Sequence, residues 1–387
     1  MGINQYGRDT VTAPPANATV TIVGAGVVGS AIAYELSRVL DPAETPILVL
    51  EAQGEEDWQA TGAALGVLIV HLSRRRRGRN FQLRQASLAR YETLIPELEA
   101  QTGVQIPYQR RGIIEICTTE AEAIATQAWL NTEAPQGVQW LSPEEVEQQL
   151  PLINTQLVHG ALWATGDRQV TPKPLTQALR QAAYQQGVEF FYHSPVRHLQ
   201  RSPQGGWILD LDHASLETEY LILAAGLGVT PLTQALHCPI TVEPVLGQAL
   251  EFAGDVDAVA PHTPMMTAEG IHFVPLPWGR VWVGATVEFN TVRGNPQTLD
   301  QLHGRAIELW PVLKTARLTQ QWQGLRPRPR DRPAPIIEQI DDHTWIATGH
   351  YRNGILLAPV TAQKITQSML TTLVEGDRYR GGRALIK

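Results

Sequence analysis

Three glycines in the run Gly24-Ala25-Gly26-Val27-Val28-Gly29 can act on a ligand without contributing a side chain. The spacing G-x-G-x-x-G suits a turn that cradles the phosphates of a dinucleotide. The first glycine permits a tight turn, the second lets backbone approach a pyrophosphate, and the third lets a helix pack closely on the preceding strand. The helix that follows would direct its N-terminal amides at the anion. Glu51 supplies the second piece of the same chemistry, a carboxylate that can accept from ribose hydroxyls. The interval between the two is longer than usual, and residues 41–46 read as an inserted loop.

Such a loop works only between a strand and a helix, and the flanking residues provide both. Ala18–Val23 reads as a short buried strand, Val27–Leu40 as a helix with Val28, Ala31, Ile32 and Leu36 on one face, and Ile47–Leu50 as a second apolar strand ending at Glu51. Farther on, Pro174–Gln186 is amphipathic, with Leu175, Ala178, Leu179, Ala182 and Ala183 on one stripe, and Gly187 stops it. Val188–Tyr192 reads as a strand, and Gly206–Leu211 with Leu216–Ala224 as a hairpin-like pair. The middle differs: residues 112–117, 248–252, 270–274 and 280–284 are β-like runs without intervening helices, which predicts an antiparallel sheet. The first style returns at Thr344–Thr348, followed by a Gly-rich turn and a helix from about Val360 to Val374, with Ile365, Met369 and Leu373 on one face. The glycine run alone leaves NAD and FAD open. The chain has a single fingerprint, and the apolar strand Tyr220–Leu223 ends in Ala224-Ala225-Gly226; both features favour FAD.

The chain has 387 residues, enough for two cores. A net charge of −7 argues against a nucleic-acid binder. Two cysteines, Cys117 and Cys238, are too few for a disulfide framework and lack metal-ligand spacing, which fits a reducing, cytoplasmic setting. The first residues lack the apolar core of a signal peptide, and no apolar run approaches the roughly 18 residues needed to span a bilayer. Arg74-Arg75-Arg76-Arg77 with Arg79 is the one strong charge run, read as a solvated or internally paired face, with an acidic partner or anionic membrane surface as the alternative.

Two longer stretches carry a resemblance: Trp322-Gln323-Gly324-Leu325-Arg326-Pro327, and residues 349–359, Gly-His-Tyr-Arg-Asn-Gly-Ile-Leu-Leu-Ala-Pro. With residues 281–286, the turn at 193–196 and Thr61-Gly62, they make the chain similar to the D-amino-acid oxidase superfamily, and within it to the glycine oxidases of thiamin biosynthesis. The likeness runs over nearly the whole length from Ala18. It implies an α/β fold: a Rossmann-like FAD-binding domain of the DAO type with a second substrate domain on a mostly antiparallel sheet. The boundaries expected are 18–85, 166–240 and 325–387 for the FAD-binding domain, 86–165 and 241–324 for the substrate domain, and 1–17 for a tail.

The resemblance implies non-covalent FAD held by Gly24, Gly26, Gly29 and Glu51, with Thr61 and Gly62 after the second strand, Val196 near the adenine, and Gly226 and Gly349 at the nucleotide. It places Arg352, Asn353, Gly354, Ile355 and Leu356 along the isoalloxazine. Arg326 is the arginine that would pair with a substrate carboxylate, through two parallel hydrogen bonds, and Arg352 matches a second arginine near the active site. Backbone amides after Asn353 would meet negative charge at the pyrimidine end of the flavin. Two departures bear on substrate choice: His272 stands where the family has an active-site tyrosine, and Val287 where it has a methionine.

The expected activity is FAD-dependent oxidative deamination of glycine or another small amino acid or secondary amine, with Arg326, Arg352 and His272 as the catalytic set and oxygen as the electron acceptor. One rival is an amino-acid dehydrogenase feeding a quinone or carrier. An NAD-dependent reductase and a flavin-bearing binding module are others. A homo-oligomer is a further expectation.

Overall fold

The computed structural model describes residues 13–254 and 263–380. Most of the expected tail 1–17, and residues 381–387 of the expected third FAD-domain segment, lie outside them. Two eight-stranded sheets organise the rest.

The first sheet is built on the strand Asn17–Val23, paired in parallel with Ile47–Leu50 on one side and Ser215–Leu223 on the other. Glu189–Phe191 extends it in parallel beyond Ile47–Leu50, and Thr344–Thr348 lies parallel to the inner end of Ser215–Leu223. Alternate side chains enter opposite layers. Val20, Ile22 and Val49 pack under the helices, whereas Val23, Leu48 and Leu50 pack with Leu221, Leu223 and Ile346 on the other face. Burial on both faces is why these strands read as continuous apolar runs. The helices Val27–Ser37, Arg79–Thr102, Pro172–Gln185 and Gly354–Arg380 cover the first face. The expected helix ending at Gly187 is present, and Gly187 takes the left-handed conformation (φ +98°) that terminates it.

The second sheet is antiparallel except where Met265–Ala268 lies parallel to Ile113–Ile116. One edge is a long ribbon of Val242–Ala253 and Arg317–Pro329. One end of the ribbon, with Phe252 and Leu318, lies in the second sheet's core, and the other end carries Val242 into the core of the first. This ribbon ties the two layers together, and Arg326 rides on it.

Three features differ from the sequence reading. The helix Arg79–Thr102, which was not anticipated, runs unbroken across the 85/86 boundary and buries Leu83, Leu88, Tyr91 and Leu98 beneath the first sheet. The strand Arg317–Pro329 likewise crosses 324/325. The last helix begins at Gly354, directly after a 3-10 turn at Tyr351–Asn353, rather than near Val360. Pro359 sits inside it, although proline is usual only in a helix's first turn.

Candidate active site

The glycine run forms the turn between the first strand and helix. Gly24 has φ +108°, and a Cβ there would stand 2.6 Å from the Ala224 carbonyl oxygen. At Gly29 a Cβ would stand 1.9 Å from the Gly24 carbonyl oxygen, so the helix approaches the strand only because both are glycine. Gly26 is different: a Cβ would meet only the Thr61 hydroxyl, at 3.2 Å. That hydroxyl accepts from the Val27 N–H at 3.1 Å. Gly26 offers no side chain to cap the helix, and Thr61 does so from 34 residues away.

Glu51 is bound to this turn. Its Oε2 accepts from the Ala25 N–H at 2.8 Å and its Oε1 from the Gln53 N–H at 3.0 Å. The next strand runs alongside, with the Glu51 N–H donating to Phe191 and the Ser194 N–H donating to the Glu51 carbonyl. Val196, two residues on, packs half-buried against the core of the outer face. Gly226 has φ +56° with open space where a Cβ would be, and its carbonyl accepts from Thr348 Oγ1 at 3.1 Å. Gly62 is closed in by Trp58, whose Cβ a substituent would meet at 2.2 Å, and Gly349 (φ +65°) is closed in by Pro329. A tight glycine turn, a carboxylate beside it and a helix N-terminus together fit the diphosphate and ribose of a dinucleotide.

At the other end, the ribbon, the strand Ile271–Leu276 and the 3-10 turn bring Arg326, His272 and Arg352 within electrostatic reach of one another. The half-buried Arg326 guanidinium lies over Gly247, where a Cβ would come within 2.1 Å of it, and its Nη1 donates to the Leu246 carbonyl at 3.0 Å. Among the described residues no carboxylate forms an ion pair with it. Glu288 feels its charge but is held elsewhere: it accepts from Thr286 Oγ1 at 2.7 Å, Gln248 Nε2 at 2.9 Å and the Asn295 N–H at 3.0 Å. Burial first, then the neighbouring Arg352, draws Arg326 below the usual arginine range. A guanidinium so placed can take an incoming carboxylate without first losing a partner.

His272 lies between Thr267 and Gly284 of the flanking strands. Burial, followed by Arg352 and Arg326, pushes it down to about 4, so the ring is neutral at physiological pH. Its Nδ1 is buried and has no hydrogen-bond partner within the protein. Arg352 is exposed on the 3-10 turn. Asn353 closes that turn with its N–H on the His350 carbonyl, and Gly354, Ile355 and Leu356 open the last helix. The first amides of a helix have no intrahelical acceptor and carry the positive end of its dipole. Gly324 belongs to the site's scaffold, since a Cβ there would stand 2.3 Å from that of Ala63, and the Trp322 indole N–H binds the Ala63 carbonyl at 3.1 Å.

The charge run is partly absorbed by packing. Arg74 pairs with Glu115 at 2.7 Å and lies over Trp129, and Arg76 donates to the His71 carbonyl. Among the described residues, no helix is long and apolar enough to cross a membrane. Sequence reasoning missed Arg180, whose guanidinium grips the glycine turn from the helix Pro172–Gln185.

The chain is similar to several known proteins. Glycine oxidase of Geobacillus kaustophilus is 30% identical over 88% of this chain and 90% of its own. The bifunctional protein ThiO/ThiG of Synechocystis is 32% identical over 91% of this chain and 51% of its own length. The crystal structure of glycine oxidase from Bacillus cereus superposes with a TM-score of 0.83 at 25% identity, covering 92% of this chain and 95% of the other. The family model described as DAO, FAD dependent oxidoreductase, matches residues 19–368. The chain therefore belongs to the FAD-dependent oxidoreductases of the DAO family.

Proposed function

We propose that this protein oxidises glycine, or a similarly small amino acid, at the carbon bearing nitrogen, and that Arg326 anchors the substrate carboxylate. The observation that carries the reading is the Arg326 guanidinium, which lies over Gly247 without a carboxylate partner among the described residues and within electrostatic reach of Arg352 on the turn before the last helix. Support comes from relatives named glycine oxidase that align over about nine-tenths of both chains.

FAD, when bound, would supply the acceptor for a hydride, which is two electrons carried with one proton, and the route by which those two electrons reach oxygen to give hydrogen peroxide. The chain's own residues supply alignment. Arg326 holds the carboxylate in one orientation, which fixes the neighbouring carbon. His272, uncharged, adds no third positive charge beside the two arginines. Arg352 adds positive potential that favours a carboxylate. Gly24, Gly26 and Gly29 would hold the diphosphate, and Glu51, each of whose oxygens keeps a second lone pair, the ribose. Amides of Gly354, Ile355 and Leu356 would face the negative end of the flavin ring. The amine must arrive unprotonated, since an ammonium has no lone pair to support the forming imine. The imine then hydrolyses to a keto or aldehyde acid and ammonia.

The test is an anaerobic bleaching screen of the purified flavoprotein with glycine, sarcosine, proline and D-alanine. Rapid bleaching by glycine, and peroxide on admission of oxygen, is expected. Bleaching by none of the four, or turnover only with an artificial dye, would overturn the reading.

A further inference from the structure

Arg180 is only 4% exposed. Its Nε and Nη2 donate to the Ala25 carbonyl at 3.0 and 2.6 Å, and its Nη1 donates to the Glu55 carbonyl at 3.0 Å. The guanidinium lies over the ring of Trp58, 4.6 Å from its centroid, and 5.6 Å from that of Tyr192. Among the described residues its hydrogen bonds go to backbone carbonyls and none to a carboxylate. A buried cation without an anionic partner is costly, and this one stands directly under a turn shaped for a dianion.

The direction of the grip matters. A trans peptide points its N–H opposite to its carbonyl, so drawing the Ala25 oxygen towards Arg180 aims the Gly26 N–H away from it. Ser30 Oγ donates to the same carbonyl at 2.9 Å, so three donors from two side chains hold that one peptide. Within the turn, the Val27 N–H is already taken by Thr61, and the first intrahelical bond runs from the Ser30 N–H to the Gly26 carbonyl at 2.9 Å. The Gly26 peptide N–H is therefore oriented by side chains outside the turn.

We propose that Arg180 is a positioning residue for the FAD diphosphate: it clamps the Ala25–Gly26 peptide so that the Gly26 N–H faces the phosphates, and it supplies a fixed positive charge behind them. The inference rests on the glycine run being the diphosphate cradle. A residue that merely fastened the helix to the turn would leave the ionic part of cofactor binding unchanged.

The experiment titrates deflavinated protein with FAD, following protein fluorescence at two salt concentrations, for the wild type, Arg180→Met and Arg180→Lys, each checked by circular dichroism. Arg180→Met is expected to raise the FAD dissociation constant at least about tenfold and to flatten its dependence on salt. Arg180→Lys, which keeps charge but cannot hold the carbonyl with two parallel bonds, should fall between them. Wild-type affinity in Arg180→Met, or weaker affinity with the full salt dependence, overturns the inference. If Arg180→Met does not fold, Arg180→Lys decides alone: weakened binding supports the clamp and unchanged binding refutes it. A wild-type protein that fails to take up FAD refutes the cradle instead.

Discussion

At the scale of single residues, the decisive feature of Arg326 is what it lacks. Most buried arginines are paired, yet here Glu288, the carboxylate that feels its charge, is occupied by three other donors. Binding then replaces water, rather than an internal carboxylate, at the guanidinium. Arg326→Ala should weaken apparent glycine binding by about 2–5 kcal/mol, roughly thirty- to several-thousand-fold. Steady-state kinetics on FAD-saturated enzyme checks this, and an unchanged Michaelis constant would remove the anchor. Arg326 was legible because Gly-Leu-Arg-Pro carries a family likeness. Arg180 was not: an arginine beside a stripe of Leu and Ala on a helix reads as solvated, and nothing local reveals that a turn 155 residues earlier lies against it. Thr61 was noticed for its place after the second strand, while its hydroxyl bond to Val27 depends on a long-range contact that periodicity does not encode.

At the scale of elements, the start of the last helix shows why sequence and structure part company. Proline lacks the N–H that would reach four residues back, so Pro359 leaves the Ile355 carbonyl without its helical donor. The Tyr91 hydroxyl fills that gap at 2.6 Å, and Ser87 Oγ accepts from the Val360 N–H at 3.3 Å. Both come from the helix Arg79–Thr102, which continues the last helix through a position where proline normally marks a boundary. The amides of Gly354 to Leu356 are thereby helical. Tyr91→Phe leaves the Ile355 carbonyl buried without a donor and should cost about 1–3 kcal/mol. Denaturant unfolding measures this, and a loss below about 0.5 kcal/mol would mean that the proline gap is repaired in another way. The central strands of the first sheet, by contrast, were legible almost to the residue, because parallel strands buried on both faces leave an unbroken apolar signature.

At the scale of the whole molecule, the two sheets meet along the ribbon that carries Arg326, and the site there is closed enough to keep two histidines neutral. His350 is buried, shares a hydrogen bond with Thr361 at 3.0 Å, and is pushed down to about 4 by burial alone. His272 reaches about 4 for that reason and because of the two arginines. A histidine titrating near 6.5 when unfolded and near 4 when folded binds more protons in the unfolded chain between those values. Its contribution is therefore neutral above about pH 6.5, and stability falls as pH drops towards 4. For each histidine the loss between pH 8 and pH 5 comes to roughly 2 kcal/mol. His350→Asn keeps the ring site polar but removes the titration, so the variant, whatever its stability at pH 8, should lose roughly 2 kcal/mol less than the wild type on going to pH 5. Parallel urea unfolding curves at the two pH values decide the matter. If the variant and wild type lose the same free energy, the His350 ring is reached by water or charged in the folded state, and its burial against the last helix is wrong.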